Sequence, residues 1–78
     1  MTKLQAGVVF NKFGKWFSVI EEVLQIENSL ALIKGHDDDG YLKYWIFEYE
    51  NYEWQPSYSS TSLEAMQDQF TMMVANRK

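Results

Sequence analysis

The sequence predicts an α+β fold in which a small antiparallel meander sheet, or a partly closed barrel, of about five strands is followed by one C-terminal helix. Two observations predict this fold class. Short runs rich in β-branched and aromatic residues alternate with turn residues over most of the chain, and an amphipathic pattern with helical spacing follows Pro56. The 78 residues leave room for one hydrophobic core, so residues 1–78 are expected to form a single domain.

The first two strands are expected over residues 4–10 and 15–26, joined as a hairpin. Asn11 and Gly14 stand at the first and fourth positions of a type I turn, which is typical of hairpin loops with a bulge. Residues 15–26 are ambiguous, because their apolar side chains also follow the spacing of an amphipathic helix. Their β-branched content and the preceding turn favour a strand; a helix would change the order to strand, helix, three strands, helix.

Three further strands are expected over residues 29–34, 41–49 and 52–55. A tight turn at Glu50 and Asn51 is expected to join the last two. Pro56 is expected to end the last strand, because proline withdraws a donor from the hydrogen-bond ladder.

The C-terminal helix is expected over residues 62–75. Thr61 and Glu64 match a capping box, in which each side chain satisfies a free backbone N–H group of the first turn. One face carries the apolar residues and should therefore pack on the sheet. These residues are Leu63, Met66, Phe70, Met73 and Val74.

Composition restricts the class of function. The chain has no Cys, so a disulfide framework and a thiolate metal site are excluded. It also shows no export signal and no apolar run long enough for a membrane span, and we therefore expect a cytoplasmic protein. Residues 36–76 hold eight acidic residues against Lys43, within a net charge of −4. Such a surface repels phosphate backbones and favours basic partners.

Catalytic and metal-binding chemistry receive little support. His36 is the one histidine, it precedes three consecutive Asp residues, and no G-x-S-x-G motif accompanies it. Consecutive Asp residues cannot all face one ion, so residues 36–40 are interpreted as a solvated turn in which Asp side chains cap the backbone and Gly40 takes an unusual φ. We expect a non-enzymatic protein without metal or cofactor.

Two acidic residues of the last hairpin could work as a pair. A two-residue turn at Glu50 and Asn51 would set Glu48 directly across from Glu53, where like charges are unfavourable. Such a pair marks either an exposed face that awaits a cation or a loop longer than this prediction assumes.

Aromatic residues are concentrated near the end of the predicted sheet. Eight of the eighteen residues 41–58 are Tyr, Trp or Phe, and the strand 41–49 is apolar on both faces. A single helix can cover one face of a small sheet. The second face is therefore either buried by curling of the sheet or left for a partner.

These observations favour a non-enzymatic protein-binding module, an inhibitor or adaptor that binds a basic protein surface or a second copy of itself. Small acidic α+β chains of this kind are typical of accessory proteins of bacteriophages and mobile elements. The alternative is a single-stranded nucleic-acid-binding domain that uses the same rings with Lys12, Lys15, Lys34 and Lys43, and a small-molecule pocket lined by Trp and Tyr is a third. The predicted partner-binding residues are Tyr41, Trp45, Glu48, Tyr49, Glu50, Tyr52, Glu53 and Trp54.

Overall fold

A computed structural model describes residues 4–12, 16–37 and 39–76, and within these ranges the chain forms an antiparallel sheet followed by a C-terminal helix. The strands are adjacent in chain order, as in a meander. The predicted α+β architecture is thus confirmed. The elements are β1 (Val9–Lys12), β2 (Trp16–Glu27), β3 (Leu30–Asp37), β4 (Leu42–Glu50), β5 (Glu53–Ser60) and α1 (Leu63–Asn76).

Strand β1 begins later than predicted, because the chain turns just before it. The Val8 N–H donates to the carbonyl of Gln5 at 3.2 Å, and Gly7 adopts φ +91°, a conformation that favours glycine. Backbone bonds nevertheless tie this turn to β2, since the Gly7 N–H donates to the Ile20 carbonyl at 2.8 Å. The turn predicted from Asn11 and Gly14 falls largely outside the described residues.

The ambiguous segment is strand β2, and two bulges explain its helix-like spacing. Opposite β3, Glu21 and Leu24 are the extra residues, since the register shifts between Ile20 and Glu22 and again between Val23 and Gln25. A bulge moves the following side chains to the other face and bends the strand. Ile20 and Val23, three positions apart, therefore pack against the same face of the sheet.

Both faces of the sheet are buried, as the pattern of β4 predicts. The face under α1 forms the helix-side cluster, and the opposite face forms the concave-side cluster. The members of the helix-side cluster are Leu30, Leu32, Ile46, Met66, Phe70 and Val74. The members of the concave-side cluster are Phe10, Ile20, Ala31, Ile33, Trp45 and Phe47.

Curling of the sheet buries the concave-side cluster. The ring of Phe10 on β1 lies with its centroid 5.0 Å from that of Trp45 and 4.9 Å from that of Phe47, both on β4. In a flat sheet these strands would be separated by about 14 Å. The sheet therefore bends into a half-barrel, and of the two explanations for the apolar second face, curling accounts for the middle of β4.

Helix α1 packs its apolar stripe over β3, β4 and β5, which confirms the predicted face. The predicted capping box is wrong by one residue. Ser62 is the N-cap, because its Oγ accepts from the Ala65 N–H at 3.2 Å, and Glu64 therefore falls one position too early to complete a box with it. No helix within the described ranges is long and apolar enough to cross a lipid bilayer.

Two predictions about the last hairpin are wrong. Its turn consists of Asn51 and Tyr52, with Glu50 paired to Glu53, one residue later than the turn predicted at Glu50 and Asn51. Strand β5 also continues through Pro56 to Ser60. Proline is tolerated there because β5 is an edge strand and a bulge lies beside it.

Candidate functional site

Five of the eight predicted site residues lie at the β4–β5 tip, which we define as residues 49–54. Tyr49 and Trp54 are direct cross-strand partners, with ring centroids 5.2 Å apart and planes at 60°. Trp54 is half-buried against the concave-side cluster, whereas Tyr49 is 39% exposed. The two rings therefore extend the apolar interior of the half-barrel to its outer rim.

Tyr52 is the most unusual residue of the tip. It adopts φ +66° in the turn, and its side chain is 86% exposed. The type I′ turns that suit hairpins favour Asn followed by Gly, so Asn51 fits its position and Tyr52 does not. A bulky residue in the left-handed region costs roughly 1–2 kcal/mol. The fold therefore gives no reason for a tyrosine at this position.

Acidic side chains flank the turn. Glu50 and Glu53 are opposite one another and both are exposed. Glu48 is paired with Gln55 and not with Glu53, so the predicted Glu48–Glu53 pair is wrong, because the turn lies one residue further along the chain. The Ser57 hydroxyl, on the residue added by the bulge, donates to the Glu48 carboxylate and orients it.

The register of the hairpin separates the aromatic and the acidic residues of the tip. Tyr49 and Trp54 share the concave face with Phe47. Glu48, Glu50 and Glu53 alternate with these positions and point to the helix side. A partner on one face would therefore meet mainly rings or mainly carboxylates, whereas a partner that grips the tip would meet both. The aromatic face of the hairpin is formed by Tyr49 and Trp54, and the acidic face is formed by Glu48, Glu50 and Glu53.

Two of the predicted aromatic residues do not belong to the tip. Trp45 is 5% exposed and packs edge-on against Phe10, so its ring is part of the concave-side cluster and not of an exposed surface. Tyr41 is 68% exposed but lies at the opposite end of β4, about 30 Å from Tyr52 along the strand. The aromatic residues that are close together in the sequence thus lie in three separate places: the concave-side cluster, the tip and the opposite end of β4.

The loop after β3 is shorter than predicted, because β3 continues past residue 34 and includes His36 and Asp37, but its capping matches the interpretation. One carboxylate oxygen of Asp37 accepts from the backbone N–H groups of Asp39, at 3.0 Å, and Tyr41, at 2.9 Å. Gly40 adopts φ +85°. His36 lies beside it with Nδ1 at 3.0 Å from a carboxylate oxygen of Glu21. Sequence patterns give no signal for this last pair, because a bulge sets the position of Glu21.

A groove between β2 and α1 was not predicted. Its volume is about 280 Å³. Finding it requires the direction in which the helix crosses the sheet, which apolar spacing alone does not give. The lining residues are Gln25, Glu27, Phe70, Thr71, Val74 and Ala75.

A scan against protein-family models and searches of curated proteins and of solved structures give no significant match. The chemistry of the site is therefore argued from its geometry. The tip offers large rings that lose little conformational entropy on binding, phenol hydroxyls and carboxylates. This combination suits the recognition of a surface that presents apolar area together with Lys or Arg.

Proposed function

We propose that this protein is a non-enzymatic, cytoplasmic protein-binding module, an accessory inhibitor or adaptor, and that it holds a basic surface of another protein with the β4–β5 tip. The observation that carries the proposal is Tyr52. Its ring is 86% exposed and stands on a backbone conformation that tyrosine seldom adopts.

The Tyr52 ring contributes little to the stability of the free protein. A side chain so exposed buries little apolar surface, so it does not offset the cost of its backbone conformation. Conformational outliers concentrate at functional sites, and tyrosine is enriched among the residues that dominate binding energy in protein interfaces. Contact with a partner would give Tyr52 the burial that the fold does not provide.

The charges of the tip support a basic partner. Glu50 and Glu53 face each other across the turn and place two exposed carboxylates at the end of the hairpin. A Lys or Arg side chain of a partner would be attracted to this concentration of negative charge. The net charge of −4 adds long-range attraction to a basic surface and opposes binding of nucleic acid.

Affinity capture from a lysate of the source cells, with identification of the captured protein, tests the proposal. Tyr52→Ala should weaken capture at least tenfold, as expected for an interface hot spot. Tyr41→Ala is the matched control, because it removes an exposed tyrosine from the other end of the sheet. Binding should also weaken as salt concentration rises.

Three outcomes would contradict the proposal. The two tyrosine variants could capture the partner equally well, which would remove the tip from the interface. The bound material could be single-stranded nucleic acid. The chain could also form a homodimer by solution molecular weight and capture nothing else, which would make the second copy its partner.

A further inference from the structure

The groove between β2 and α1 has an apolar floor and a polar rim. Phe70 and Val74, both members of the helix-side cluster, form the floor from the helix side. Glu27 and Gln25 stand on the strand side and are exposed. The groove can therefore take a side chain that has an apolar stem and a polar end.

The polar groups of the rim are arranged as hydrogen-bond acceptors. The amide nitrogen of Gln25 donates to one carboxylate oxygen of Glu27 at 3.3 Å, which leaves the amide oxygen and the second carboxylate oxygen able to accept. The Thr71 hydroxyl donates its proton to the carbonyl of Gln67 at 2.9 Å and likewise keeps acceptor capacity. Apart from the second N–H of the Gln25 amide, the rim therefore offers acceptors, and a ligand that brings donors matches it.

The sign of the local potential also favours a cation. Glu27 supplies a full negative charge. The groove also reaches the last turn of α1 through Val74 and Ala75, where the helix dipole places partial negative charge. Among protein side chains, lysine and arginine combine a long alkyl stem with a cationic group that only donates hydrogen bonds.

The groove lies close to the β4–β5 tip. Glu27 is in register with Leu30, which is in register with Glu48 on β4, so Glu27 and Glu48 are two strands apart on the helix side of the sheet. Two strand spacings amount to about 10 Å. Glu50 and Glu53 lie one row further towards the tip. One partner surface can therefore reach both the tip and the groove.

We propose that this groove binds the side chain of a lysine or arginine of the partner, with its alkyl stem on Phe70 and Val74 and its cation on Glu27. This inference rests on the proposed function, because it names a second contact for the same basic partner. It also specifies the chemistry of that partner: a basic residue positioned about 10 Å from the surface that lies over Glu48, beside the tip.

A titration with small probes tests the groove without the partner. N-acetyl-lysine methylamide is added to the full-length ¹⁵N-labelled chain at low salt, and its amide shifts are followed by NMR. N-acetyl-norleucine methylamide, which keeps the stem and lacks the charge, is the matched probe. We expect the lysine probe to shift amides of residues 25–27 and 71–75 and to bind two- to fivefold more tightly than the norleucine probe, the range of an exposed ion pair.

Variants assign the charge effect to one carboxylate. Glu27→Gln should weaken the lysine probe two- to fivefold and leave the norleucine probe unchanged. Glu64→Gln changes the net charge equally but lies in the first turn of α1, and it should leave both probes unchanged. Equal binding of the two probes, equal effects of the two variants, or shifts outside these residues would overturn the proposal.

Two further variants separate this inference from its alternatives. Tyr52→Ala should leave the probe titration unchanged, so that a failed groove and a failed tip are distinguishable. Deletion of Arg77 and Lys78 should not alter the affinity of the lysine probe by more than about twofold, as for exposed charges. A larger gain would overturn the proposal by making these residues of the chain itself the occupant.

Discussion

The β2–β3 and β4–β5 turns have almost the same φ values and very different surroundings. Asn28 and Ser29 adopt φ values of 50° and 64°, and Asn51 and Tyr52 adopt 51° and 66°. The carbonyl of Ser29 accepts from the Tyr49 N–H at 2.9 Å, so the β2–β3 turn is tied to β4. The second residue of the β4–β5 turn is instead Tyr52, whose ring is exposed.

The residues that follow the turns differ in the same way. Leu30, directly after the β2–β3 turn, is fully buried in the helix-side cluster. Glu53, directly after the β4–β5 turn, is exposed. The first turn is thus anchored to the core by the Tyr49 N–H and by Leu30, whereas the second extends beyond the core and carries an exposed ring that the fold does not need.

The largest expected effect comes from replacing a core ring of β4, and it tests where the core ends in the β4–β5 hairpin. Trp45→Ala should lower the free energy of unfolding by about 3–5 kcal/mol, because it empties part of the concave-side cluster. A domain of this length has a total stability of roughly 4–12 kcal/mol, so the variant should lose a quarter or more of it and unfold at a clearly lower urea concentration. Urea denaturation measures the loss.

Tyr52→Ala is the control for that experiment, and its stability should lie within about 0.5 kcal/mol of the wild type. If Tyr52→Ala proved as damaging as Trp45→Ala, the tip would belong to the folding core. The distinction between the two turns would then be lost.

The next largest effect is expected at Gly35, which lies in the β2–β3 hairpin but away from its turn. A Cβ added at Gly35 would lie 2.8 Å from the Val19 carbonyl oxygen, which is backbone and cannot move aside cheaply. Gly35→Ala should therefore lower the free energy of unfolding by about 1–3 kcal/mol. Gly40→Ala meets no atom within 4 Å but has φ +85°, and it should lose about 1 kcal/mol. If Gly40→Ala lost more stability than Gly35→Ala, backbone strain at Gly40 would outweigh crowding at Gly35.

The order of the elements could be predicted from sequence because alternation, turn residues and the amphipathic stripe of α1 are local signals. The bulges at Glu21 and Leu24 could not, since a bulge depends on how two strands pair and not on one residue type. They also explain why residues 15–26 resemble a helix. A bulge can bring two residues three positions apart to the same face of a strand. A helix places residues with that spacing on one face without any bulge.

The position of the last turn failed for a related reason. Turn prediction relies on residues that tolerate positive φ, and Tyr52 is not one of them. Because the predicted turn lies one residue too early, it pairs Glu48 with Glu53. In the structure Glu48 pairs with Gln55, and Glu53 pairs with Glu50. The residues of the tip and the faces that they occupy could thus be predicted from the sequence, but their cross-strand pairing could not.

Replacing the second residue of each turn with glycine sharpens the comparison directly. Tyr52→Gly and Ser29→Gly both relieve a positive φ, and each should stabilise the protein by a few tenths to about 1 kcal/mol. Thermal denaturation measures the gain. If the turns serve different purposes, Tyr52→Gly alone should lose partner capture, and Ser29→Gly should retain it. Loss of capture in both variants would assign the effect to turn geometry and not to the ring.

The smallest expected effect concerns the charges of the β4–β5 turn. Glu50→Gln removes the repulsion with Glu53 and should stabilise the protein by about 0.2–0.5 kcal/mol at low salt. The gain should disappear in 1 M NaCl, where charges are screened beyond roughly 3 Å. Urea denaturation at both salt concentrations measures it, and a gain that persists at high salt would have another cause. Because a basic partner relieves the same repulsion, the variant that stabilises the free protein should bind that partner more weakly.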